Sequence, residues 1–161
     1  MELTISLSTI VSAGLGFLGV YILMPIALIL RDQLIIFYIN RYVITDDFWI
    51  KLRICTQDKA YFNEKFRKST SVAFGSTGNT YTIDGLAFSE AEFNHYESGR
   101  KLHLDRMTRL DQEILTKCNL LKWINRHFKM EANFIKTIDE QVKFIYDSQV
   151  EIIKAEGSKK V

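Results

Sequence analysis

The chain has 161 residues, of which 25% are charged and 47% hydrophobic, with 8 glycines and 1 proline. That length fits one domain, or one domain with an appendage, and the composition excludes a disordered, collagen-like or proline-rich protein. A formal net charge of +2 exerts no global pull toward nucleic acid, and two cysteines, Cys55 and Cys118, are too few for a disulfide scaffold.

The average hides an asymmetry. The 28 residues from Leu3 to Leu30 carry no charge, and every Lys and Arg lies at Arg31 or later. The centre of this run, Thr9 to Leu30, has 22 residues. About 20 helical residues cross a hydrocarbon layer of ~30 Å, so this stretch is expected to be a transmembrane helix. A buried helix of a soluble protein rarely runs so long without a charge. A cleaved signal peptide needs a basic start and a small-residue cleavage site. Here the start is MELTISLS and the apolar part ends at Ile29-Leu30-Arg31-Asp32. An uncleaved anchor is therefore expected. The basic residues Arg31, Arg41, Lys51 and Arg53 all follow the span, which predicts an outside N-terminus and a cytosolic C-terminal domain.

At about 100° per residue, Ser8, Ser12, Gly16 and Gly19 fall on one face of this helix, with Ile10, Phe17, Tyr21 and Leu28 opposite. Small residues let helix backbones approach closely in a bilayer, so the four are expected to form a helix-packing face. Gly14-Leu15-Gly16-Phe17-Leu18-Gly19 also matches a dinucleotide-binding glycine pattern, but no strand can precede it. Pro25 should bend the helix, because it removes one helical hydrogen bond.

Beyond Arg31, the run Leu34 to Ile39 is too short for a second span. Arg31, Phe37, Tyr38, Arg41 and Tyr42 are expected at the membrane interface. No glycine or proline stands between Pro25 and Thr45, which favours a bent but continuous helix over a surface amphipathic one. Residues 1–44 thus form the anchor and juxtamembrane helix, and residues 45–161 the soluble domain.

In the soluble domain, Thr45-Asp46-Asp47 reads as a helix N-cap with acid in the first turn. Phe48, Leu52 and Cys55 form a candidate buried stripe, with a helix to about Cys55 or as far as Phe66. Ser69 to Phe88 alternates β-formers between Gly75, Gly78-Asn79 and Asp84-Gly85. This predicts a β-hairpin near residues 71–83, with strands near Ser71–Phe74 and Thr80–Ile83. An isolated hairpin is marginal in water, so Val72, Phe74, Tyr81 and Ile83 are expected to meet a partner. The turn Gly75-Ser76-Thr77-Gly78 lacks the lysine and following helix of a phosphate-binding loop.

Ser89-Glu90-Ala91-Glu92 is a capping box that should open a helix. After Ser98-Gly99 a second helix is expected, with an apolar stripe from Leu104 through Leu110, Ile114, Leu121 and Ile124 to Phe128. A last stripe, Phe134, Ile138, Val142, Ile145 and Ile152, predicts a helix to about Ala155 and an antiparallel pair with its predecessor.

The residues that carry chemistry are sparse. Glu92-x-x-His95 has the spacing of a di-iron helix but occurs once. Cys55 and Cys118 lack a zinc pattern, and only a spatial pairing such as Cys118 with His127 would make a nucleophile. The lysines and arginines from Arg100 to Lys129 suggest a basic face, read as solvated or as a contact for anionic lipid. No catalytic, cofactor or metal site is expected, nor a nucleic acid or small-molecule substrate.

The expected class is mainly α: one N-terminal transmembrane helix plus a small helical cytosolic domain with an inserted β-hairpin. The expected function is that of a non-enzymatic structural or assembly subunit of a larger membrane complex, such as a secretion, transport or energy-converting machine or a virion membrane. Its partners are other membrane proteins and the lipid bilayer. The alternative is a small effector that oligomerises and perturbs the bilayer, as toxins and holins do.

Overall fold

A computed structural model describes residues 7–76, 78–130 and 133–158. The fold is mostly helical, with a small three-stranded antiparallel sheet and one long apolar N-terminal helix. Two compact units divide the chain, Met1–Ile44 and Thr45–Val161.

The first unit is a 37-residue helical run, Leu7–Val43. It contains α1 (Leu7–Leu18) and α2 (Met24–Tyr38), with wider π-helical turns at Gly19–Leu23 and Ile39–Val43. Pro25 has no N–H to donate to the turn before it, and that turn is one of the π-helical pair. There the Met24 N–H donates to the Gly19 carbonyl, five residues back. The run is continuous through the predicted junction. From Leu7 to Leu30 every residue except Gly19 is exposed. These 24 uncharged residues span ~36 Å as helix, against a hydrocarbon layer of ~30 Å. The run is long and apolar enough to cross a membrane.

In the second unit, α3 (Asp46–Tyr61) starts on the predicted cap, the Thr45 hydroxyl accepting from the Phe48 N–H at 3.3 Å. It continues as a π-helical turn over Phe62–Phe66. The strands β1 (Thr70–Gly75), β2 (Gly78–Ile83) and β3 (Leu86–Phe88) lie in that order. Thr70 pairs with Ile83 and Gly75 with Gly78 in the first ladder, and Tyr81 pairs with Phe88 in the second. The predicted hairpin is thus extended by a third strand. Its turn is Asp84-Gly85, where φ is +55° and +78°. Positive φ at both positions suits a two-residue hairpin turn, and Asp-Gly is a favoured pair for it.

Helix α4 (Glu90–Phe128) has 39 residues and opens on the complete capping box of Ser89 and Glu92. It passes straight through Gly99, where two helices were expected. Lys129, at φ +54°, closes it in the left-handed conformation. Helix α5 (Phe134–Ser158) follows.

The core forms because α3 packs along both α4 and α5, while α4 and α5 meet only sparingly. Helix α3 runs antiparallel to α4, as Lys51–Glu113 and Asp58–Arg106 show, and parallel to α5, as Gln57–Gln149 and Lys65–Glu156 show. Phe48, Leu52, Cys55 and Ala60 of α3 are buried, as are Leu110, Ile114, Leu121 and Ile124 of α4 and Ile138 and Ile153 of α5. The α5 stripe differs from expectation at its end. Ile152 is exposed, and Gln149 and Ile153 face inward instead.

Candidate functional site

The buried polar centre of the soluble unit is Asp58, whose side chain is 2% exposed. Arg106 grips both carboxylate oxygens, and His103 Nδ1 lies 2.8 Å from Oδ1. The Tyr61 ring stacks on His103 with centroids 5.5 Å apart, and Phe66 covers it at 5.4 Å. A bidentate guanidinium suits a planar carboxylate, and taking a carboxylate out of water requires such compensation. The carboxylate holds the Arg106 guanidinium above its ordinary range. This arrangement joins α3 to α4. Outward of it, Lys59 pairs with Asp111, and Lys51 with Glu113 at 2.6 Å and Asp47 at 3.0 Å.

The two thiols are kept protonated. Burial pushes the Cys55 thiol up and does the same for Cys118, and the thiolate is the reactive form. Cys118 and His127 are nine residues apart on one helix, ~13 Å along its axis, so they do not pair. His127 stacks on Trp123 instead, at 5.3 Å. Glu92 is held in the capping box, where hydrogen bonds from the Ser89 hydroxyl and backbone lower its carboxyl below the usual range. Among the described residues no group of three His, Cys, Asp or Glu is arranged to hold a metal ion. Part of the basic face is turned inward: Arg106 meets Asp58, Arg100 donates to Thr70 and Glu97, and Lys117 lies over the Phe48 ring.

The sheet is covered unevenly. Ile83 is 5% exposed, and the Tyr81 ring lies 5.2 Å from Phe93 of α4. The backbone N–H of Lys68 donates to the Tyr96 hydroxyl at 3.2 Å. Val72 is half-buried, whereas Phe74, near the tip, is 84% exposed. The four residues assigned to a partner surface therefore divide: the base of the hairpin sits on α4, and its tip presents a bare aromatic ring.

In the first unit, Ser8, Ser12 and Gly16 are exposed, and beyond the helix's own neighbouring backbone no described atom would lie within 4 Å of a Cβ placed at Gly16 or Gly19. Arg31 forms an ion pair with Asp32 at 2.7 Å. Tyr38 and Tyr42 lie together, their centroids 5.3 Å apart, and both are exposed, as are Phe37 and Arg41.

A groove that sequence reasoning missed opens between α3 and α5. Its volume is about 520 Å³, and its walls include Trp49, Ile50, Phe144 and Ile145, with Arg53 and Gln141 among its polar lining. Phe144 is 68% exposed. The exposed Phe144 breaks no pattern in the sequence, and only the groove it lines together with Ile50 of α3 reveals it.

Comparisons with protein-family models, characterised proteins and solved structures return no match for this chain.

Proposed function

We propose that the chain is a non-enzymatic, single-pass subunit of a larger membrane assembly, with its N-terminus outside and residues 45–161 in the cytosol. The observation that carries this reading is the helical run Leu7–Val43, whose residues from Leu7 to Leu30 are uncharged and exposed. Exposing so much apolar side-chain surface to water is strongly unfavourable, whereas a bilayer accommodates it. Arg31 and Arg41 would then mark the cytosolic edge, with Phe37, Tyr38 and Tyr42 in the headgroup layer. Ser8, Ser12, Gly16 and Gly19 would meet a neighbouring helix, because lipid offers no hydrophobic drive for association and close packing must supply it. On the soluble unit, Phe74 at the sheet tip is the residue most suited to dock a partner protein. The ionisable groups at the α3–α4 junction join the two helices, and this supports a structural role for them rather than a catalytic one.

Purification of the full chain in mild detergent, with the accompanying chains identified by mass spectrometry, tests the proposal. Several different membrane proteins in constant ratio are expected. A homo-oligomer that makes vesicles leak ions would refute the subunit reading and favour a bilayer-perturbing effector.

A further inference from the structure

We propose that the groove between α3 and α5 binds an anionic membrane lipid, with the headgroup at Arg53 and acyl carbons over Ile50, Phe144 and Ile145. The inference rests on the reading of Leu7–Val43 as a membrane anchor. Three observations support it. The groove has the size and lining of a small-ligand site, about 520 Å³ with mainly apolar walls and a few polar groups. Its one cation, Arg53, is exposed and has no carboxylate partner among the described residues, whereas Lys51, Lys59 and Arg106 on or facing the same helix are all paired. A guanidinium on an apolar groove matches a phosphate joined to a hydrocarbon chain, and it binds phosphate in a bidentate fashion. Trp49 follows Val43, the end of the helical run, by six positions, and Tyr42, which the anchor reading puts in the headgroup layer, by seven. Seven residues of chain span at most ~25 Å, so the short tether keeps Trp49 within that distance of the headgroup layer on the anchor reading. Trp49 itself suits this depth, with an apolar ring and a polar N–H.

The experiment uses the full chain carrying Trp123→Phe, so that Trp49 is the only tryptophan, mixed with vesicles of zwitterionic phosphatidylcholine containing brominated phosphatidylglycerol or brominated phosphatidylcholine. Bromine quenches a tryptophan that it touches. The inference expects strong quenching of Trp49 by the brominated anionic lipid and little by the brominated zwitterionic one. Arg53→Gln should weaken the anionic effect about tenfold, as loss of a charge-assisted contact does, while Lys143→Gln, outside the groove walls, leaves it unchanged. Equal quenching by the two lipids, or no effect of Arg53→Gln, would overturn the inference. An alkaline wash of the same vesicles reports separately on the anchor. A chain that resists the wash without selective quenching has the anchor and lacks the lipid site. A chain that washes off yet shows selective, Arg53-dependent quenching keeps the lipid site and loses the anchor reading.

Discussion

The Phe66 ring lies against the backbone of Gly99, so close that a Cβ there would stand 2.9 Å from ring atoms Cε1 and Cζ. Glycine inside a helix costs about 1 kcal/mol relative to alanine, and here it admits the ring that also packs on Tyr96 and His103. A bulky side chain must push that ring away. Gly99→Leu should destabilise the soluble unit by about 1–3 kcal/mol despite leucine's better helix propensity. Combining it with Phe66→Ala should cost less than the sum of the two changes, as a double-mutant cycle followed by thermal unfolding would show. Strict additivity would mean that the contact carries no energy.

The grip of Arg106 on Asp58 makes a second prediction. Arg106→Leu leaves a carboxylate that is 2% exposed with, among the described residues, His103 as its remaining side-chain partner. Breaking a buried pair costs roughly 3–5 kcal/mol; the Arg106 side chain is partly open to solvent, so a loss of about 2 kcal/mol is expected. The exposed pair of Lys51 and Glu113 should matter less, and Lys51→Met should leave the denaturation midpoint almost unchanged. Equal shifts for the two variants would contradict the burial argument.

Much of this architecture is legible in the sequence, for identifiable reasons. The apolar run, the Thr45 cap and the Ser89 capping box are local signals, each complete within a few residues, and each lies where the chain folds as read. Gly99 misleads because its reason lies 33 positions away, on Phe66. The third strand was signalled by Asp84-Gly85, but three residues, Leu86–Phe88, are too few to show alternation. Asp58, His103 and Arg106 come together from positions 45 and 48 residues apart, and nothing local in a helix announces such a partner. The groove between α3 and α5 was hidden for the same reason, since its walls lie on two helices far apart in sequence.

The capping box predicts a pH dependence. Glu92 titrates below its ordinary value of 4.5 because Ser89 hydrogen-bonds its charged form. A depressed folded-state value stabilises the fold above the unfolded value and loses that contribution as pH falls through the folded one. Stability should therefore fall as the medium is acidified below about pH 4.5. Glu92→Gln, which keeps a hydrogen-bonding side chain but cannot titrate, should flatten that acid limb. An unchanged limb in Glu92→Gln would assign it to other carboxylates.

The small-residue face is tested by contrast. Beyond its own helix backbone, a Cβ at Gly16 has no described atom within 4 Å, so a side chain there points into open space along the exposed helix. Gly16→Leu should leave insertion intact and abolish co-purification with partner helices, while Phe17→Leu, on the opposite face, should be tolerated. Equal effects of the two changes on co-purification would show that the face has no special role.

The proposed function depends on Leu7–Val43 crossing a bilayer and holding residues 45–161 on the cytosolic side. A pair of reporters fused after Val161, one active only inside the cytosol and one only outside it, reads this directly in intact cells. Activity of the cytosolic reporter alone is expected, from chains that resist alkaline extraction. Activity of the external reporter, or release of the chain by alkali, would contradict the placement.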